Sequence, residues 1–206
     1  MKLDEKGLLI VLSGPSGVGK GTVREALFKR VDHDLVYSIS MTTRLPRVGE
    51  KHGREYYFVS REEFEKNIQE GKMLEYAEFV GNYYGTPVTK IKEQLNQGHE
   101  VVLEIEVQGA LQVREKMKDA IFIFIAPPTM DALYNRLKSR GTESEEVIQS
   151  RIEKAKRELH LAYKYDYIVV NDTVDNAADR IMAIIRAEHA KTERTIHKYK
   201  EILEVK

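Results

Sequence analysis

A glycine-rich segment near the amino terminus has the residue types needed to hold a phosphate group. Residues 13–22 read SGPSGVGKGT and lie between an apolar run and a segment with helical periodicity. Glycines let the backbone bend so that successive amide N–H groups point at one anion, and the positive end of the following helix adds attraction. The alternative is an ordinary glycine-rich turn, but strand, spacing and Lys20 together favour a phosphate-binding loop.

One position of this loop departs from the usual pattern G-x-x-x-x-G-K-[ST]. Gly21 stands where Ser or Thr normally offers a hydroxyl to Mg²⁺, and Thr22 comes one residue later. We therefore identify no protein ligand for the metal beyond Thr22, whose hydroxyl could serve beside ordered water. The predicted phosphate-binding residues are Gly14, Pro15, Ser16, Gly17, Val18, Gly19, Lys20, Gly21 and Thr22.

A second group of residues could bind another phosphate. Arg44 and Arg47 flank a proline turn, and Tyr56 follows in a strand-like segment. Guanidinium groups present forked donors that fit phosphate oxygens. The alternative is a solvated basic loop, and these residues alone do not decide between the two.

Further along the chain, Arg136 and Arg140 are spaced to share one face of a helix, and Arg151 follows in a second helical segment. Taken alone, this spacing favours a solvated charged face with glutamate partners.

The overall composition narrows the class of protein. Lys plus Arg and Asp plus Glu both number 33, so no global charge draws the chain to nucleic acid or to an anionic membrane. There is no cysteine, which excludes disulfides and thiolate metal sites. The first apolar run is too short for a signal-peptide core or a membrane span. We expect a cytoplasmic protein.

Four apolar runs rich in Val, Ile and Leu predict buried strands, at residues 8–13, 101–106, 121–126 and 167–170. Continuous apolarity is typical of parallel strands that are covered on both faces. Helical segments lie between them: Ser60 and Thr129 are predicted to cap two of them, and Pro87 suits the first position of a third. The pattern predicts an α/β fold with a mostly parallel sheet. Residues 37–86, with weak alternation, indicate an inserted ligand-binding segment.

A series of motifs resembles the guanylate kinases, which are P-loop nucleoside monophosphate kinases. In chain order the motifs are GPSGVGKGT, TTRLPRVGE, GREYYF, EYAEFVGNYYGTP, LEIEVQGA, IAPP, SRGTESEE and VVND, and the resemblance covers roughly residues 8–190. It implies a three-layer P-loop kinase fold. The implied parts are a core of residues 1–36, 87–126 and 164–206, a GMP-binding subdomain of residues 37–86, and a helical lid of residues 127–163.

The resemblance also implies an activity, transfer of the γ-phosphoryl group of ATP to GMP, with Mg²⁺ bound to ATP. It gives roles to individual side chains. The implied contacts to the GMP phosphate are Arg44, Arg47, Tyr56 and Tyr84, and those to guanine are Ser40, Glu75 and Thr86. Glu106 is implied to contact the base or the metal, and Asn171 with Asp172 the adenine side. The implied cations around the transferred phosphoryl group are Lys20, Arg136, Arg140 and Arg151. Glu106 stands where the family commonly has Asp, so its carboxylate extends one methylene further.

Two other functions stay open at this stage. One is a guanylate-kinase-like interaction module without catalysis, against which the presence of Lys20 and the three lid arginines argues. The other is a kinase of the same fold for AMP or a phosphorylated sugar, against which Ser40, Glu75 and Thr86 argue. The sequence leaves homo-oligomer formation open.

Overall fold

The structure, a computed structural model, describes residues 6–30, 34–139, 141 and 144–199. The strands are β1 (Leu9–Ser13), β2 (Leu35–Tyr37), β3 (Met41–Thr42), β4 (Tyr57–Phe58), β5 (Met73–Phe79), β6 (Asn82–Pro87), β7 (Glu100–Glu104), β8 (Ile121–Ala126) and β9 (Tyr167–Val170). The α-helices are α1 (Lys20–Phe28), α2 (Arg61–Gln69), α3 (Val88–Asn96), α4 (Val107–Lys116), α5 (Met130–Lys138), α6 (Glu145–Leu159), α7 (Val174–His189) and α8 (Thr192–Thr195). Two short 3₁₀ helices cover Ala162–Lys164 and Ile196–Tyr199.

The main sheet is parallel throughout and has the strand order β2-β7-β1-β8-β9. Its central strand β1 is buried along its whole length, as continuous apolarity predicted. Helices α1 and α7 pack on one face, and α3 and α4 pack on the other. The predicted three-layer α/β fold is therefore confirmed, and all four predicted strands are present. The ends of β8 and β9 are as predicted, and those of β1 and β7 differ by one or two residues.

The segment between β2 and α3 folds into a second sheet with the order β4-β3-β6-β5. Strands β5 and β6 form an antiparallel hairpin, and β3 pairs antiparallel with β6. Helix α2 packs on this sheet through the fully buried Phe64, whose ring stacks on Tyr83 with centroids 5.2 Å apart. The inserted sheet provides a surface apart from the phosphate loop, on which a second ligand could bind.

Helix ends follow local side-chain chemistry. The hydroxyl of Ser60 accepts from the amide of Glu63, and that of Thr129 accepts from the amide of Ala132, so both predicted caps are confirmed. The position predicted for Pro87 was wrong by one residue: it ends β6 in extended backbone, and α3 begins at Val88. Its fixed φ suits either place.

Helices α5 and α6 pack against each other around a small core of their own, made by Leu133, Leu137, Ile148, Ile152 and Ala155. The pair follows β8 and leads back to β9, so it lies beside the carboxyl edge of the main sheet. Within the described ranges, no helix is long and apolar enough to cross a membrane.

Candidate active site

The phosphate loop joins β1 to α1 at the carboxyl end of the central strand. Gly14, Gly17 and Gly19 have positive φ values of 148°, 86° and 94°. A side chain at Gly17 would also meet Leu137 of α5, since its Cβ would lie 2.5 Å from a methyl carbon of that leucine. The loop therefore needs glycine both for its turn and for the close approach of α5.

Lys20 is folded into this loop. Its Nζ donates to the carbonyl oxygens of Gly14 at 2.7 Å and Pro15 at 3.3 Å, and it lies 3.4 Å from a carboxylate oxygen of Glu106. Only 10% of the side chain is exposed. The ammonium group thus sits over the mouth of the loop, where it can exchange a carbonyl contact for a phosphate oxygen.

Two of the predicted lid arginines reach the loop. Arg136 donates to the carbonyl oxygens of Val18 at 3.1 Å and Asn171 at 2.8 Å. Arg151 donates to the hydroxyl of Ser16 at 2.6 Å. Arg140 lies outside the described residues. The structure therefore brings two cations from α5 and α6 to the edge of the phosphate loop.

A cavity of about 400 Å³ opens beside the loop, between α5 and the turn after β9. Its lining residues are Gly17, Gly19, Thr22, Arg136, Ser139, Asn171, Asp172, Thr173 and Val174. The buried amide of Asn171 donates to the carbonyl of Val18 at 2.8 Å and so holds the loop in place. Asp172 forms a two-pronged ion pair with Arg180, whose hydrogen bonds lower the pKa of the carboxyl to about 2.

The inserted sheet brings together the residues that were predicted to bind a second phosphate. The guanidinium carbon of Arg44 lies 5.5 Å from the ring centroid of Tyr56, and the rings of Tyr56 and Tyr84 are 6.0 Å apart. Glu50 holds Arg44 in place by two hydrogen bonds of 2.9 and 3.0 Å, and these lower the pKa of the Glu50 carboxyl. Arg47 is exposed beside them, with its backbone amide bonded to Glu50.

Glu75 and Thr86 meet across the β5–β6 hairpin. The hydroxyl of Thr86 donates to Oε1 of Glu75 at 2.6 Å, and both side chains are buried. The other carboxylate oxygen faces Gly109 of α4, where a Cβ would lie 2.8 Å away, so only glycine leaves room for it. Burial raises the pKa of the Glu75 carboxyl, and the hydrogen bond from Thr86 opposes the rise.

Helix α4 fixes the β5 strand against the core. The side-chain amide of Gln112 accepts from the backbone N–H of Tyr76 at 3.2 Å and donates to its carbonyl at 3.0 Å. Lys116 donates to the carbonyl of Met73 at 3.0 Å. These contacts lie on either side of Glu75, so the position of its carboxylate is set by the core as well as by the hairpin.

Glu106 lies beside Lys20, and Ser40 lies beside the predicted phosphate clamp. Glu106 is the residue before α4, and its side chain makes no capping hydrogen bond there. Instead it lies 3.4 Å from Lys20 and 3.6 Å from Lys154. Ser40 precedes β3, and its carbonyl accepts from the amide of Tyr57, next to the predicted phosphate clamp.

The sequence reasoning missed a charged cluster between the pockets. Glu104, at the carboxyl end of β7, lies 3.0 Å from the Nε of Arg24, and this guanidinium stacks 4.4 Å from the ring of Tyr37. Burial raises the pKa of Glu104, while the charges of Arg24 and Lys20 oppose the rise. A signal was available, because a carboxylate that ends an apolar strand of a parallel sheet lies at the edge where such sheets bind ligands.

A parallel sheet with a phosphate loop on its central strand, facing a second basic pocket in an inserted sheet, defines a nucleotide-dependent phosphotransferase of the P-loop class. Comparison with known proteins narrows the class. The sequence model described as guanylate kinase matches residues 6–188.

Two curated relatives and one solved structure agree with this match. The chain is 62% identical over 205 residues to the guanylate kinase of Onion yellows phytoplasma (strain OY-M), covering 99% of this chain and 97% of the relative. It is 60% identical over 202 residues to that of Listeria monocytogenes serotype 4b (strain F2365), covering 98% of each. The crystal structure of guanylate kinase from Anaplasma phagocytophilum superposes with a TM-score of 0.73 at 37% identity, over 93% of this chain and 91% of that one. This chain belongs to the guanylate kinase family.

Proposed function

We propose that the chain transfers the terminal phosphoryl group of ATP to GMP, giving ADP and GDP, with the two nucleotides bound on opposite sides of Lys20 and Glu106. The observation that supports this most strongly is the pair of pockets: a phosphate loop with a buried lysine on one side, and a buried Glu75–Thr86 pair beside an arginine–tyrosine clamp on the other.

The phosphate loop, residues 14–22, is the proposed site of the ATP phosphates. Its glycines, the Lys20 ammonium and the amino end of α1 all favour an anion at its centre. The cavity beside Asn171 and Thr173 is the proposed place of the adenine and ribose. Asn171 acts there mainly by holding the loop through Val18. Its Oδ1 has no donor among the described residues and so offers an acceptor in the same buried place.

The clamp formed by Arg44, Tyr56 and Tyr84, with Arg47 at its edge, is the proposed site of the GMP phosphate. Two guanidinium groups can neutralise a phosphate dianion, and the phenol groups add hydrogen-bond donors. Glu50 accepts two hydrogen bonds from Arg44 and so fixes the orientation of its guanidinium group over the ring of Tyr56.

Glu75 is the proposed reader of guanine, assisted by Ser40 and Thr86. Guanine presents N1–H and a 2-amino group side by side, and a carboxylate can accept from both. Adenine has a lone pair at N1, which would face the buried carboxylate without a proton between them. Such an unpaired contact is unfavourable enough to reject AMP.

Catalysis on this arrangement requires little proton chemistry, because the attacking group is already a phosphate oxyanion. The protein therefore acts by positioning and by neutralising charge. Lys20, Arg136 and Arg151 are the proposed cations around the transferred group, with Arg140 a prediction from the sequence. In the structure Arg136 and Arg151 contact the loop itself, so closing over ATP requires them to move only from loop atoms to phosphate oxygens.

The residues around Gly21 fit a magnesium ion that arrives with ATP. Gly21 offers no hydroxyl, but the Glu104 carboxylate is near it: a Cβ at Gly21 would lie 3.7 Å from Glu104 Oε1. Oxygen ligands from carboxylates, phosphates and water suit Mg²⁺. When bound, the ion would neutralise phosphate charge, and Glu104, Glu106 and the Thr22 hydroxyl are the groups that could hold its water shell. No cluster of three or more potential metal ligands occurs in the described parts of the chain.

The proposed roles are assigned to the three parts of the chain that were predicted from the sequence. Residues 1–36, 87–126 and 164–206 form the core, residues 37–86 the GMP-binding subdomain, and residues 127–163 the lid. The α5–α6 pair has its own small apolar core, which suits a unit that moves as one body. Closure of both parts would exclude water and so prevent hydrolysis of ATP. The cytoplasmic location and the oligomeric state stay predictions.

A panel of nucleoside monophosphates tests this function. The purified chain is mixed with ATP, Mg²⁺ and GMP, AMP, CMP or UMP, and ADP release is followed by a coupled assay. We expect rapid turnover with GMP and little with the other three. Equal turnover with AMP would contradict the guanine-reading role of Glu75, and no turnover with any acceptor would favour a non-catalytic interaction module.

A further inference from the structure

A second positively charged cavity lies at the opposite end of the main sheet from the phosphate loop. It has a volume of about 330 Å³ and is lined by residues at the start of β1, on α3, in the turn before β8 and on α8. Strand β1 has 5 residues, so about 16 Å separate this end from the phosphate loop. The nucleotides of the proposed reaction do not extend to it.

Five of the residues that line this cavity are cations, Lys6, Lys92, Lys116, Lys118 and Arg194, and one is a carboxylate, Asp119. The ammonium group of Lys116 is bonded to the carbonyl of Met73, so the other four cations are the ones available to the cavity. The whole chain has equal numbers of positive and negative side chains, so this excess is local. Lysines scattered on a surface are normally solvated and bind nothing in particular. Here they surround a concave space that three separate helices and a turn bring together.

The cations are incompletely satisfied by the protein. Across the residues that the structure describes, Lys92 and Lys118 make no ion pair or hydrogen bond. Arg194 donates to the carbonyl of Asp119 at 3.2 Å and lies 3.5 Å from Glu188, but its buried Nε has no acceptor among the described residues. The ammonium groups of Lys92 and Lys118 are exposed and have no acceptor among the described residues, so an anion in the cavity can supply one.

We propose that this cavity binds a small phosphorylated metabolite with three or four negative charges. The volume is at the lower end of the range of small-molecule sites, which suits a compact anion. Arg194 offers forked donors, and the lysines offer point charges, the two kinds of group that bind phosphate oxygens. The bound anion would join α3, the turn before β8 and α8, and would fix the carboxyl-terminal helix to the core.

Calorimetric titration with inorganic tripolyphosphate tests the site. The full chain is first saturated with ADP and GMP, so that the phosphate loop and the GMP clamp are occupied. The double variant Lys92→Ala with Lys118→Ala removes two unpartnered cations. The control variant Lys29→Ala with Lys66→Ala removes the same charge from the residue after α1 and from α2. Because charges at contact distance are only partly screened, we expect the cavity variant to bind about tenfold more weakly than the parent or the control.

Turnover without tripolyphosphate gives the check on folding, since neither Lys92 nor Lys118 lies near the nucleotide pockets. We expect the cavity variant to match the parent in this assay, which ties its weaker binding to the cavity. Equal tripolyphosphate affinity in the cavity variant and the control would overturn the proposal. So would the absence of binding once ADP and GMP are bound, because the anion would then enter only the phosphate loop.

Discussion

Replacing Glu75 by Gln tests how the pocket distinguishes guanine. The amide keeps the shape of the side chain and one acceptor, but turns the other acceptor into a donor that faces a donor of guanine. The change removes a hydrogen bond to a charged group, which contributes about 1.5–3 kcal/mol, and leaves a buried donor unsatisfied at about 1–3 kcal/mol. Because only 6% of Glu75 is exposed, water compensates little of this loss.

We take about 3 kcal/mol as the sum, which corresponds to a fall of about 10²-fold in kcat/KM for GMP. Inosine monophosphate lacks the 2-amino group, so it should lose less, about tenfold. The measurement is kcat/KM for both acceptors at saturating ATP. The matched control is Glu78→Gln, the same change on the same strand at a half-exposed site, which should leave both values unaltered.

An unchanged ratio of GMP to inosine monophosphate in Glu75→Gln would refute the reasoning, since the 2-amino group would then bind elsewhere. A fall of equal size for ATP binding would also contradict it, because Glu75 lies on the inserted hairpin rather than at the phosphate loop.

Other perturbations give separate tests. Lys20→Ala should lower kcat at least about 10²-fold by removing a cation from the transferred phosphoryl group, and a near-normal rate in the coupled assay would remove the loop from the mechanism. Arg44→Ala should raise the KM for GMP about tenfold or more. The control Arg54→Ala removes an exposed arginine of the same insertion and should leave this KM unchanged. A change confined to the KM for ATP would contradict the role of Arg44 in the clamp. Asn171→Asp replaces the amide that donates to the Val18 carbonyl by an acceptor. It should lower the free energy of unfolding by about 2 kcal/mol, measured by urea titration. An unaltered midpoint of unfolding would show that this hydrogen bond does not hold the loop. Burial raises the pKa of the Glu75 carboxyl above the ordinary 4.5, and guanine binding needs the ionised carboxylate. We therefore expect kcat/KM for GMP to fall as the pH drops through that raised pKa. If Glu75→Gln showed the same fall, the titrating group would be a different residue.

The sequence predicted the main sheet well because its strands are buried on both faces. Leu9–Ser13 and Ile121–Ala126 are continuous apolar runs, and no helix of that length would be stable alone. The caps at Ser60 and Thr129 were readable because one side chain decides each of them.

The inserted sheet was harder to predict, since β3 and β4 have only two residues each. Such strands depend on their neighbours rather than on their own pattern. Helix α4 was missed because its first turn contains Gly109, a poor helix former. The carboxylate of Glu75 lies close to Gly109, which leaves little room for a side chain there. That contact joins residues far apart in sequence.

The residues of the candidate site also differ in how well the sequence alone predicts them. The phosphate loop follows from a local pattern, so its residues could be named from one segment. Glu104 and Arg24 lie on β7 and α1, and only folding brings them to 3.0 Å from each other beside Gly21. The contacts of Arg136 and Arg151 with the loop also connect distant segments, which no spacing rule would reveal.

Phosphorus NMR of a single reaction mixture tests the central claim most directly. The chain is mixed with equal amounts of ATP and GMP in the presence of Mg²⁺, and the signals of all phosphates are followed in time. We predict that ADP and GDP appear together in equal amounts, without free phosphate. Release of free phosphate from ATP while GMP stays unchanged, or no reaction at all, would contradict transfer between the two pockets.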